Sequence, residues 1–267
     1  MAEALRLYAI LARAEYRSAS QHRASFALLG LSGTVVVALD FVVITFLLQR
    51  VPRLAGFSLA EMGVLYGLAS LAERLADLAV GDIEKVGQLV KDGTFDRVLL
   101  RPGPALVQLA ASSCRPQMLG RPLQALVILA LSLQRAEIDW TWGRVFLVPA
   151  TVACGTLIFV AVWVAGAALT FVLVDGREAM NAFTYGGGFL AQYPLSIYAA
   201  WFRHLFVYVV PIAFVAWFPA LAILGRADPL GLPGWYRFAA PAAAAFSLTV
   251  ATLAWGAAVR RYRSTGS

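Results

Sequence analysis

Three carboxylates and one guanidinium lie inside stretches of this 267-residue chain that are otherwise apolar enough for lipid. Asp40 interrupts the run from Ala24 to Leu48. Glu73 and Asp77 sit one helical turn apart in Leu59 to Val80, with Arg74 beside them. A charge at the centre of a bilayer costs about 3 kcal/mol or more, so such groups are candidates for an aqueous pathway, acid–base work or metal binding. The plainer reading of Glu73, Arg74 and Asp77 is a structural ion-pair cluster near one membrane surface. Asp40 has no partner within its own helix, which leaves pairing across subunits or exposure to a pathway. A membrane-embedded enzyme would need a second group of histidines or acids on neighbouring segments, and the later segments offer almost none. His22 and His204 are isolated, and Cys114 and Cys154 form no C-x-x-C, so neither a catalytic set, a metal site nor a disulfide framework is expected.

The second concentration of charge is Gly81 to Pro102, which holds both lysines, Lys85 and Lys91, four acids (Asp82, Glu84, Asp92, Asp96) and Arg97 and Arg101. Ile83, Val86, Leu89 and Val90 recur at helical spacing and predict a short amphipathic helix. Asp92-Gly93 stops it, Thr94 can cap a second short helix, and Pro102 ends that one. Such a helical hairpin can insert into a partner, or it can be a solvated loop between two spans.

The elements that must hold these groups are set by composition. With 60% hydrophobic and 14% charged residues and a mean hydropathy of +0.73, the chain is far from the soluble average of roughly 45–50% apolar and 25% charged. An all-α polytopic membrane protein is expected. The net charge of +7 is scattered between apolar runs with no aromatic-interleaved patch, so nucleic acid is not an expected partner. Residues 1–23 read as an amphipathic helix on the headgroups, without the continuous apolar core of a signal peptide. Six spans are expected, at about 24–48, 59–80, 114–133, 145–174, 178–193 and 239–259. Ser58 and Glu61 have capping-box spacing, and Gly63, Gly67 and Ser70 give the second span a small-residue seam. Pro149 and Gly155 are candidate kinks in the long fourth span, and Trp140 and Trp142 mark an interface. Between the last two spans, Pro194, Pro211 and Pro219 interrupt the apolar run, so 197–224 reads as two short helices that dip in and return. A single span from Arg203 to Leu224 is the alternative.

With the N-terminus inside, the cytoplasmic side receives twelve basic residues: Arg6, Arg13, Arg17, Arg23, Lys85, Lys91, Arg97, Arg101, Arg177, Arg260, Arg261 and Arg263. The outside receives six, Arg50, Arg53, Arg135, Arg144, Arg226 and Arg237. That asymmetry puts both termini and Gly81 to Pro102 in the cytoplasm.

This order of elements, with GTFDRVLLRP ending at Pro102 and YPLSIYAAWFRHLFVYVVPIAFVAWFPALAILGR at Tyr193 to Arg226, resembles the permease subunit of type-2 ABC transporters. The wording is similar to the branch found beside drug- and antibiotic-export ATPases. The resemblance implies a cytoplasmic coupling helix within Ile83 to Leu100 that docks on an ATP-binding cassette subunit, with Ile83, Lys85, Val86, Leu89, Val90, Phe95, Asp96 and Arg97 as contact residues. It implies re-entrant helices at 197–224, with Pro194, Pro211 and Pro219 shaping a gate. It also implies a second permease subunit, identical or related, residence in a bacterial cytoplasmic membrane, and export of a lipophilic or amphipathic compound. The chain has no Gly-rich phosphate loop ending in Lys-Ser/Thr. ATP and Mg are therefore expected on the partner, with no cofactor and no catalytic role on this chain. A non-transporting membrane scaffold is the remaining alternative.

Overall fold

A computed structural model describes residues 6–11, 13, 14, 35, 39, 42, 46, 53–112, 120–172 and 176–262, apart from the side chains of 176–180, 182 and 183. Asp40 and nearly all of 24–48 lie outside these residues, as do Cys114 and Arg115. Most of the described residues are helical and none forms a strand; their one β-bridge, Leu54 to Phe57, closes a tight turn through Ala55 and Gly56, both in the left-handed region.

The first long helix, α1 (Leu59–Val80), starts where the Ser58–Glu61 spacing expects it. Ser58 Oγ accepts from the Glu61 N–H at 3.4 Å, and Glu61 Oε2 accepts from the Ser58 N–H at 2.7 Å. A 3-10 turn (Gly81–Lys85) leads into α2 (Val86–Lys91), followed by α3 (Phe95–Leu99) and α4 (Ala105–Ala111). Then come α5 (Gly120–Arg135), α6 (Trp142–Leu169) and α7 (Gly176–Ala191). The Pro-interrupted region forms α8 (Ala200–His204), which continues as a π-helical turn to Val209, and α9 (Trp217–Ile223). The last helix is α10 (Ala240–Arg261).

Two of these helices, α6 and α10, are long and apolar enough to cross a membrane. The pair Ala200–Val209 and Ile212–Ile223 becomes a third only if its 76° bend is spanned as one unit. Among the described residues the other helices do not meet that measure. Every eighteen-residue stretch of α1 carries at least three charged residues. Helices α5 and α7 are described over 16 residues each, and residues 113–119 and 173–175 before them lie outside the described residues.

Glycines set how closely the helices approach. A Cβ on Gly67 of α1 would stand 2.8 Å from the Leu129 Cα, so the expected small-residue seam is used by α5, backbone against side-chain base. Gly155 was a kink candidate, yet α6 is one continuous helix from Trp142 to Leu169 with Pro149 inside it. Gly155 instead makes room, since a Cβ there would lie 3.0 Å from both Ala72 and Val215.

The ends of the bundle can be told apart. Gly87 of the hairpin packs on Thr170, just past the C-terminus of α6, and the Tyr8 hydroxyl donates to the Ala79 carbonyl at 3.3 Å. The N-terminal helical residues and the hairpin therefore share one end. With 28 residues, α6 is about 42 Å long, which puts Arg144 and its neighbour Gly225 at the far end. Helices α6 and α10 pack along each other. Trp255 and Tyr262 cluster with Phe171 at the hairpin end, so α6 and α10 run in the same direction.

Candidate functional site

The hairpin turns as its residues dictate. Gly93, at φ 64°, donates to the Val90 carbonyl and Thr94 N–H to the Leu89 carbonyl, which is the paired pattern of a glycine-stopped helix. Thr94 does not cap α3 as its type suggested: its hydroxyl turns back to the Leu89 carbonyl at 3.4 Å, satisfying the end of α2. The helix α3 stops at Leu99, before Pro102.

The apolar stripe expected to face a partner mostly faces home. Ile83, Val86 and Phe95 are fully buried against Trp163, Val164 and Ala167 of α6 and the end of α10, with Leu89 and Val90 half-buried beside them. The Phe95 ring makes edge contacts, both at 5.1 Å between centroids, with Phe171 beyond α6 and Tyr262 beyond α10. Phe171 in turn meets Trp255 at 5.7 Å. One ring thus ties the hairpin to both membrane-length helices. Burial pushes the Tyr262 phenol above its usual value, and the nearby Asp96 carboxylate adds to the push. The outer face carries Lys85, Gln88, Lys91, Arg97 and Arg101, with Asp96 half-buried. Lys85, itself exposed, pairs at 2.9 Å with the buried carboxylate of Asp82. The apolar part of that face is Leu99 and Leu100, the latter 84% exposed. Its signal was the L-L-R-P tail of the amphipathic run, which periodicity centred on Ile83 to Val90 passes over.

Glu73, Arg74 and Asp77 are brought together with a fourth group. Arg74 Nη2 lies 3.7 Å from Glu73 Oε2, and Arg121 Nη1 of α5 lies 3.6 Å from Asp77 Oδ2. Glu73 is only 4% exposed. Gly188 of α7 accommodates it, because a Cβ there would stand 2.5 Å from Glu73 Oε1. Arg121 belongs to the cluster only through tertiary contact between α5 and α1.

The chain breaks at Pro211, where α8 and its π turn meet the returning limb at 76°, and this bend lies deep in the bundle, lining a pocket with Ala161, Gly166 and Leu169 in the hairpin-side half of α6. Pro194 precedes a 3-10 turn (Leu195–Ile197). Pro219 is not a break, since it sits in the first turn of α9, where a missing N–H costs nothing. The outer ends of both limbs lie at the end opposite the hairpin: His204 and Tyr208 line a pocket with Pro229 and Leu230, and Gly225 abuts Arg144. A latch closes it, and sequence reasoning missed it entirely. Arg226 Nη1 donates to Glu61 Oε1 at 3.0 Å, to Oε2 at 2.9 Å and to the Gly56 carbonyl at 2.9 Å, with its guanidinium 4.3 Å above the Phe57 ring. The pair is partly exposed, so a double-mutant cycle with Arg226→Ala and Glu61→Ala is expected to give a coupling of about 1 kcal/mol in thermal unfolding. A coupling indistinguishable from zero would show that the latch does not stabilise the fold.

Among the described residues no group of three or more histidines, cysteines and acids could hold a metal ion. A family model described as ABC-2 family transporter protein matches residues 34–266. No curated protein and no solved structure matches this chain.

Proposed function

The chain belongs to the ABC-2 family of transporter proteins, and from that premise we propose that it is the permease subunit of an exporter powered by a separate ATP-binding cassette subunit. As a family member it is a multi-pass membrane transport protein. In the fuller reading it spans a bacterial cytoplasmic membrane six times with both termini inside, pairs with a second permease, identical or related, and leaves ATP and Mg to the partner. The substrate class is lipophilic or amphipathic, of the kind exported beside drug- and antibiotic-export ATPases.

The observation that carries this reading is the two-sided hairpin. Its inner face is buried on α6 and α10 through Ile83, Val86 and Phe95, while its outer face offers Leu99 and Leu100 amid basic side chains. A loop that merely joined two helices would have no reason to expose a leucine pair on that face while anchoring the other so fully. In this mechanism a partner seated on the outer face moves the hairpin, Phe95 passes the displacement to the ends of α6 and α10, and the bent segment, open to the opposite end, acts as the gate. Both limbs of the bend open to the same end of the bundle, which supports a re-entrant segment over a crossing one. Glu73, Arg74, Asp77 and Arg121 serve as a structural cluster, because Gly188 closes over the carboxylate.

The docking face is tested by co-purification with the ATP-binding subunit. An exposed apolar anchor at an interface contributes on the order of 1–2 kcal/mol, so Leu100→Asp should weaken retention of that subunit about tenfold. Lys85→Ala, a rim charge, should change it little. Full retention by Leu100→Asp would reject this face as the docking surface.

A further inference from the structure

At the end of the bundle opposite the hairpin, a cleft of about 610 Å³ opens between the starts of α6 and α10 and the end of α9. Two arginines line it, Arg144 and Arg237, together with Thr141, Gly225, Phe146 and Phe238. Arg144 is the third residue of α6, whose first turn contains no acid. Arg237 lies in the 3-10 turn (Gly234–Phe238) just before α10, whose first turn also has no acid and whose start has no side-chain cap.

This is an unfavourable arrangement as it stands. The N-terminus of a helix carries about half a positive charge, which favours anions and disfavours cations. Here two such ends run parallel and each has an arginine at its mouth. Neither arginine has an ion-pair partner among the described residues: Arg144 donates from Nη1 to the Asp139 backbone carbonyl at 2.6 Å, and Arg237 Nε is buried with no acceptor. The carboxylates of Glu137 and Asp139 stand exposed in the preceding loop and make no bridge to either. Gly225, at φ +68°, lies against the guanidinium, and a Cβ there would stand 2.7 Å from Arg144 Nη2.

We infer that this cleft binds a phosphate group, held by the guanidiniums of Arg144 and Arg237 between the two helix starts. The guanidinium fork matches two phosphate oxygens, and helix N-termini accept phosphate without further help. The surroundings identify where the phosphate comes from. Trp142, Phe146, Trp235 and Phe238 are all exposed around the cleft, forming the aromatic rim found at headgroup level. At about 42 Å, α6 also outruns the ~30 Å hydrocarbon core and carries this end into the headgroup layer. The occupant is the headgroup of a phospholipid, with soluble phosphate sharing the same chemistry. The inference stands on this geometry and does not depend on the chain being coupled to an ATPase.

The experiment is native mass spectrometry of the full chain released from detergent, titrated with phosphatidylglycerol or with a diacylglycerol glycolipid that lacks phosphate. Phosphatidylglycerol should stay bound and the glycolipid should not. Arg144→Gln with Arg237→Gln should weaken phosphatidylglycerol binding about tenfold, while Arg135→Gln, an exposed arginine at the same end, should leave it unchanged. Each single substitution should lose about threefold, which keeps the test available if the double variant is not recovered. Inorganic phosphate distinguishes the sources: a saturable rise in the thermal midpoint of lipid-free protein, lost in the variants, assigns the site to soluble phosphate as well. Its absence beside retained lipid confines the site to the headgroup. Equal phosphatidylglycerol binding by wild type and variants, or equal binding of the glycolipid, would overturn the assignment.

Discussion

With the hairpin as the proposed coupling element, truncating Phe95 to alanine is expected to cut ATP-driven transport severely while leaving the ATP-binding subunit attached. The ring is fully buried and is gripped edge-on by Phe171 and Tyr262 at 5.1 Å each. Deleting a buried phenyl costs about 3–5 kcal/mol through lost transfer energy and the cavity left behind. The loss falls on the aromatic contact that joins α3 of the hairpin to Phe171 and Tyr262 at the ends of α6 and α10, and the outer face with Leu100 is untouched. The hairpin should therefore still dock, but its movement should be absorbed by the void under α3. In proteoliposomes containing the full transporter, this predicts transport reduced by at least about tenfold, with the subunit still co-purifying and its basal hydrolysis intact. Phe95→Leu, which refills most of the volume, should recover much of the activity. Wild-type transport by Phe95→Ala would show that displacement reaches the long helices by another route.

Placing leucine at Gly67 is expected to prevent the bundle from assembling. A Cβ there would already stand 2.8 Å from the Leu129 Cα and 3.1 Å from its nitrogen, and backbone atoms, unlike a flexible side chain, cannot move aside singly. Alanine would force α1 and α5 apart by a few tenths of an ångström, at about 1–3 kcal/mol, and leucine would cost more than that. Against a total stability of about 5–15 kcal/mol, Gly67→Leu should leave little folded protein in gentle detergent, judged by a monodisperse peak in size-exclusion chromatography. Gly186→Leu offers the control, since a Cβ on that helical glycine of α7 would meet nothing within 4 Å. Recovery of Gly67→Leu at the parent's yield and thermal midpoint would mean that α1 and α5 do not approach as closely as this packing requires.

What the sequence determined by itself is local or compositional. Sixty per cent apolar residues place the chain in a membrane, and family wording at residues 93–102 and 193–226 points to the ABC-2 permeases to which it belongs. The Ser58–Glu61 box, the Asp92-Gly93 stop and the break at Pro211 are each written within a few residues, because a cap, a left-handed turn or a missing N–H acts only on its own stretch of backbone. Tertiary structure decided where side chains point and whom they meet. Periodicity finds the stripe of Ile83 and Val86 but cannot say which body covers it. That body is this chain's own α6, so the exposed apolar pair became Leu99 and Leu100. Thr94 has the type of an N-cap, but its hydroxyl was taken by the nearer Leu89 carbonyl. Arg121 with Asp77, Arg226 with Glu61, and Arg144 with Arg237 are separated by 44, 165 and 93 positions. No local pattern links such residues, since charges attract or repel through space, and only the packing of α5 and α9 on α1 and of α10 along α6 sets those distances.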